Sequence, residues 1–304
     1  MKKKLFFLFI IFFIVICSAC NNESVNSNAI QYNHQELNKN EIFLYNIPEE
    51  KLGIYDKNRC EWRPLYPKDN LFQYVFNNES KYVVSGHSIE NGFVLLKVDE
   101  NRKSIRKIFD LNNNNDCFFP LANDNNNFYY VMYEDEKNTK NIKRTIFTFD
   151  KNNKIHTILN TNDLITSGII INGFMYYTVC NPNKESYSVY SIDLSNEGEK
   201  KAKIVKSDLE TRELYNIDNK LYFSSKDKIF NDDQSFDKKY ENFFVKNLLI
   251  QMYSDSNNDM ICSVMDIKTK KIIDKFKYPI NFEVKDNLLY IYCNNNIYKL
   301  TIGE

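Results

Sequence analysis

The chain of 304 residues balances 40 Lys and Arg against 40 Asp and Glu, and 43% of it is hydrophobic. That balance leaves no basic face long enough to follow a phosphate backbone, so nucleic acid is not expected as a partner. Three histidines and seven cysteines, of which the five beyond residue 20 are spread singly with no CxxC pair among them, do not make the clustered ligand set of a quinoprotein, copper or zinc site.

Lys2, Lys3 and Lys4 precede an unbroken apolar run from Leu5 to Ile16, followed by Cys17-Ser18-Ala19-Cys20. A basic start, a short apolar stretch and small residues before a cut predict an export signal over residues 1–19. Leu5 to Cys17 rises about 20 Å as a helix, short of the roughly 30 Å needed to span a bilayer. The cysteine after the small residues resembles the lipobox of bacterial lipoproteins, except that Cys17 stands where that family usually carries Leu. The resemblance implies cleavage after Ala19 and acylation, palmitate included, at Cys20. It also implies anchorage to the outer face of the cytoplasmic membrane. Ordinary secretion after the same cut is the alternative, since Cys17 and Ala19 are both small.

Loss of the signal leaves 285 residues, with 37 basic against 40 acidic side chains. Residues 20–40 are polar and rich in Asn, Ser and Gln, and read as a lipidated flexible tether. With Cys20 acylated, Cys60, Cys117, Cys180, Cys262 and Cys293 remain, an odd number spread singly. They are expected as buried free thiols rather than a disulfide framework, because a domain of this size needs no staples.

From Glu41 onward, short runs of Tyr, Phe, Ile, Val and Leu alternate with clusters of Asn, Asp and Lys, predicting strands and turns. Leu71 to Phe76 is assigned to strand by its aromatic and β-branched content. Asn91-Gly92 and Asn172-Gly173 are type I′ hairpin signals. With seven glycines in the chain, Asn and Asp must supply most left-handed turn positions. Gly168–Val179 predicts two strands about a tight turn, with a third at Tyr187–Leu194 and a fourth at Ala202–Val205. The same order recurs around Val83, Phe128 and Leu248. An aspartate closes each third strand. Asp56, Asp99, Asp150, Asp193 and Asp266 are separated by 43, 51, 43 and 73 residues, and the last gap holds two shorter units. Four-stranded units recurring every 40 or so residues predict an all-β fold, a β-propeller over residues 41–304. Counting units gives seven short blades; dividing 264 residues by about 44 would give six. The C-terminal unit lacks a fourth strand, which a segment near residues 24–32 could supply. The aspartates are expected to cap turns rather than bind metal.

Units of the form D-N-x-L-Y-Y … L-Y-x-x-D, as at Asn287-Leu288-Leu289-Tyr290, resemble the propeller modules of bacterial surface lipoproteins, distant prokaryotic relatives of the YWTD propellers. The resemblance implies a module that binds proteins or glycans or supports envelope complexes. No full YWTD tetrad occurs, so the receptor-type groove is not implied.

Chemistry is sparse. No P-loop, G-x-G-x-x-G or G-x-S-x-G occurs. Asp255 to Asp259 lacks the Gly and Glu of a calcium loop and reads as a hairpin turn. His156 is expected to face solvent, and His87, at a strand end, is the one histidine placed like a site residue. Trp62 and Arg63 are candidates for an interface. Tyr66, Tyr74, Tyr240 and Phe244 fall near loops, and Asp232–Glu241 reads as an irregular insert that carries specificity. No catalytic residue, metal or cofactor is assigned. The leading expectation is a membrane-anchored protein- or glycan-binding scaffold of the cell envelope. A glycan-acting enzyme with carboxylates at the propeller axis is the alternative.

Overall fold

The computed structural model describes residues 37–65, 72–76, 82–88, 92–99, 101–111, 117–124, 126–135, 142–149, 154–195 and 200–302. The signal, Cys20, the 24–32 segment, Asp150 and Tyr66 lie outside them. The described residues form strands and turns without a helix.

The first sheet holds β1 (Glu41–Asn46), β2 (Lys51–Asp56) and β3 (Glu61–Pro64). The second holds β4 (Phe72–Phe76), β5 (Tyr82–Ser88), β6 (Gly92–Val98) and β7 (Ile105–Leu111). The third holds β8 (Cys117–Asn123), β9 (Phe128–Asp135), β10 (Ile142–Phe149) and β11 (Ile155–Thr161). The fourth holds β12 (Leu164–Ile171), β13 (Phe174–Asn181), β14 (Ser186–Asp193) and β15 (Lys203–Leu209). The fifth holds β16 (Leu214–Ile217), β17 (Lys220–Ser224), β18 (Lys228–Phe230) and β19 (Ser235–Asp237). The sixth holds β20 (Glu241–Val245), β21 (Leu248–Ser254), β22 (Met260–Asp266) and β23 (Ile272–Lys277). The last holds β24 (Pro279–Lys285), β25 (Leu288–Cys293) and β26 (Asn296–Thr301).

Each sheet is an antiparallel meander, and the first strands of successive four-stranded sheets pack against one another around an axis. This is a seven-bladed β-propeller. Four blades carry a bulge between their third and fourth strands, which twists the outer edge away from its neighbours.

The aspartate ruler has a physical basis. Asp56, Asp99, Asp193 and Asp266 each turn Oδ1 back to accept backbone N–H groups of their own turns, at 2.8 Å from Asn58, 2.8 Å from Lys103, 2.9 Å from Ser195 and 2.6 Å from Thr269. The residue after the third strand then donates to the first hairpin turn of its blade: Leu194 to Gly173, Ile267 to Asn247 and Ile302 to Asn287, all at 2.9 Å. Lys57 donates in the same way to Asn40 at 3.0 Å. By this equivalence β1, β2 and β3 are second, third and fourth strands. Among the described residues the first blade therefore lacks an inner strand and the last lacks an outer one. β1 takes the inner position and runs opposite to β24, with Ile47 N donating to Ile280 O (2.8 Å) and Asn281 Nδ2 to Tyr45 O (2.7 Å).

Alternation along β1 sorts the core. Ile42 and Leu44 pack with Tyr55, Ile280 and Tyr292 toward the last blade. Phe43 and Tyr45 join a second cluster with Val94, Leu96 and Ile105 of the second blade. Asp218-Asn219 and Asp286-Asn287 hold both φ values positive, and Asn172-Gly173 does likewise, as type I′ hairpins require. Of fifteen non-glycine positive-φ residues among the described residues, eight are Asn or Asp, and others such as Lys246 and Lys270 share the task.

Candidate functional site

The blades give the propeller two unlike ends. One carries the turns between first and second and between third and fourth strands, and is called here the turn end. The other carries the turns between second and third strands and the links between blades, and is called the link end. Both Glu213, just before β16, and Glu241, the first residue of β20, stand at the link end where inner strands begin. Glu50 reaches the same end from the turn between β1 and β2.

These three carboxyls converge. Glu50 and Glu213 both raise the proton affinity of Glu241, although the last blade lies between the first and the sixth along the ring. Charges from blades that are not neighbours thus act on one another at the link end. Burial is the larger cause, and with Glu50 and Glu213 it pushes the Glu241 carboxyl up to about 7, against the opposing pull of Lys238 and Arg212. Glu213 goes the other way. Burial would raise it, but the Lys238 ammonium, backbone hydrogen bonding and the Ser224 hydroxyl outweigh burial and hold it below the usual carboxylate range. Its Oε2 accepts from Lys238 Nζ at 3.0 Å and Ser224 Oγ at 2.9 Å.

The surroundings are braced. Asn242 Oδ1 accepts from Lys239 N at 3.0 Å and from Gln251 Nε2 at 2.9 Å, and Gln251 Nε2 also donates to Asp237 O at 2.7 Å. This fixes the link on which Lys238 and Tyr240 stand. Tyr240 is 63% exposed, and burial with Glu50 and Glu241 raises its phenol. Tyr215 packs edge-on to Phe244 at 5.5 Å, and burial with Glu213 and Glu241 raises its phenol. The mouth thus offers one carboxylate held ionised, one carboxyl titrating near neutrality, an ammonium and an open aromatic ring.

Of the sequence candidates, Tyr240 stands at this mouth and the others fall elsewhere. Trp62 lies on β3, half-buried, with Nε1 donating to Leu44 O at 3.0 Å. Its ring fills the space over Gly53, where an added Cβ would stand 2.4 Å from Trp62 Cε2. Arg63 extends to Glu41 at 3.1 Å and is 51% exposed. His87 is placed by its backbone in β5, opposite Phe93. These three are not brought together with the mouth. His156 is exposed on β11 as expected, though not by alternation, since Ile155 and Thr157 beside it are exposed as well. Tyr240 does line a face, whereas Phe244 packs between blades. Asp232–Glu241 is not an irregular insert: it contains β19, the regular outer strand of the fifth blade, because Phe236 is buried between exposed Ser235 and Asp237. Asp255 forms a capped hairpin turn, with Oδ1 accepting from Asn257 N and Asp259 N at 2.8 and 3.0 Å. Among the described residues no three His, Cys, Asp or Glu side chains group as metal ligands.

The chain matches no protein-family model and no curated protein sequence. Its fold is similar to solved structures at low identity. It aligns with the acylaminoacyl peptidase of Pyrococcus horikoshii at 11% identity and TM-score 0.53, covering 86% of this chain and 51% of that one. A second acylaminoacyl peptidase, in complex with a chloromethyl ketone, aligns at 10% and 0.51, covering 87% and 51%. TolB from Acinetobacter baumannii aligns at 13% and 0.44, covering 84% and 77%. The chain spans about half of each peptidase, and at these identities the likeness concerns fold alone.

Proposed function

We propose that this protein is a membrane-anchored extracytoplasmic lipoprotein whose propeller is a protein- or glycan-binding module of the cell envelope. The lipid would sit on Cys20, and the link-end mouth would receive the partner. The observation that carries this reading is the mouth itself, where Tyr240 stands open beside Glu241 on a braced link. An exposed aromatic on a rigid support suits recognition of a protein or sugar face. The signal-like start and the repeat resembling prokaryotic YWTD-like surface propellers support the compartment.

Cross-linking on intact cells, followed by mass spectrometry of what the tagged protein captures, tests this directly. Specific envelope components should be captured by the wild type, fade with Cys20→Ala and be lost with Tyr240→Ala. Capture indifferent to both substitutions would overturn it.

A second reading, a surface glycosidase or lyase, is favoured by one observation: Glu213 is held ionised while Glu241 titrates near neutrality. Two carboxyls with separated proton affinities are what glycan cleavage requires. Glu241→Gln should then abolish turnover in a carbohydrate screen without unfolding the domain.

A further inference from the structure

The neutral total of charge conceals a segregation. Lys39 and Lys57 of the first blade, Lys103 of the second, Lys246 and Lys268 of the sixth and Lys285 of the last are all exposed at the turn end. These four blades are consecutive around the ring. Of the acids in the same turns, Asp56, Asp99 and Asp266 are turned back to cap backbone N–H groups, and Glu283 is buried against Arg102 at 3.8 Å. Among the described residues of these blades, Asp286 beside Lys285 and Glu61 at the start of β3 are the exposed acids at this end. The lysines sense one another: after burial, which is the main cause and outweighs Glu283, the charges of Lys103, Arg102 and Lys285 hold the Lys57 ammonium below the usual lysine range. The opposite end holds Glu50, Glu213 and Glu241 together with Lys238, Lys239 and Arg212, so its cations are matched by carboxyls rather than standing alone.

The chain also enters at the basic end. Asn38 O accepts from Lys103 Nζ at 3.1 Å, and Asn40 O accepts from Lys57 N at 3.0 Å. The segment leading back to Cys20 therefore joins the propeller among these lysines. Sixteen residues separate Cys20 from Leu37, a reach of at most about 55 Å.

We propose that the turn end of the sixth, last, first and second blades docks on anionic phospholipid headgroups. The acidic mouth then faces away from the bilayer, open to a partner. The orientation rests on the envelope reading given above; the affinity for anionic lipid does not. Each lysine near such a surface is worth about fivefold in binding.

The test uses the mature chain, residues 20–304, with Cys20→Ala and hence without an acyl group. It is sedimented with phosphatidylcholine vesicles made with and without phosphatidylglycerol. Binding should require phosphatidylglycerol, fall steeply with salt, and weaken about twenty-five-fold in Lys57→Gln/Lys285→Gln. Lys239→Gln, at the link end, should bind as the wild type does. Binding indifferent to phosphatidylglycerol, equal loss with Lys239→Gln, or displacement by millimolar inorganic phosphate, which marks a small-anion site, would each overturn the proposal. Because no acyl chain is present, failure here is separate from failure of the anchor, which the mass of the N-terminal peptide of the wild type reports.

Discussion

Arg102 of the second blade and Glu283 of the last meet across the inner edge of the first blade, 3.8 Å apart and both buried. Phe43 N donates to Arg102 O at 2.8 Å, so the turn after β6 lies along the free edge of β1. Tyr292 completes the group, donating to Glu283 Oε2 at 2.6 Å with its ring 5.6 Å from the guanidinium. Three blades are joined at one buried charge pair, where the first and last blades close the ring.

Glu283→Ala removes the carboxylate that stands 3.8 Å from the buried guanidinium. Removing one partner of a buried pair costs about 3–5 kcal/mol, more than the pair itself contributes, because the remaining charge stays desolvated. Urea unfolding at neutral pH measures it. A change no larger than that of a surface substitution would mean that the pair does not hold the closure.

Gly53→Ala tests the opposite kind of constraint. The new methyl would stand 2.4 Å from Trp62 Cε2 and 2.3 Å from Arg63 O, and the second of these is backbone that cannot swing aside. A loss of about 1–3 kcal/mol is expected from the overpacking. Trp62→Leu in the same chain should recover part of the ring clash but not the backbone one. The two substitutions will therefore be non-additive in denaturant unfolding; simple additivity would show that Trp62 does not press on Gly53.

That pair also marks where sequence reasoning stops. Strand order was readable because alternation and a capping aspartate repeat locally, and the four described aspartates cap their turns as predicted. Trp62 read as an interface residue because nothing local reveals that Gly53 leaves a slot for its ring. β19 was missed because a three-residue strand with one buried side chain, Phe236, carries almost no period. The acidic mouth was the least legible feature. Glu50 and Glu241 are remote in sequence, and only closure of the ring brings them together. A weak trace existed: Glu213 and Glu241 occupy matching places just before or at the start of inner strands.

The cysteines should divide by burial. Cys262 and Cys293 are 0% and 1% exposed, and burial raises both thiols, that of Cys293 to about 12. Cys60 and Cys180 are half-buried. Brief alkylation of the native protein at pH 8, read by peptide mass, should label Cys60 and Cys180 and spare Cys262 and Cys293, with all four labelled in urea. Native labelling of Cys293 would show that the contact between the sixth and last blades opens readily.

Glu241 ties stability to pH. Its carboxyl titrates near 7 in the folded chain, against the 4.5 usual for a glutamate. Below about 4.5 it is protonated in both states and adds no pH dependence. Between about 4.5 and 7 the folded chain keeps a proton that the unfolded chain has released, so stability falls as pH rises through this window. Above it the folded protein carries the full burden of an ionised carboxylate beside Glu50 and Glu213, at most about 3 kcal/mol. Glu241→Gln removes the charge while keeping the shape. It should be more stable than wild type at pH 8, little different at pH 4.5, and flatter between them. Urea midpoints across that range decide the matter. Parallel pH profiles for the two proteins would mean that Glu241 ionises freely, and the acid–base separation from Glu213 would then have no basis at this mouth.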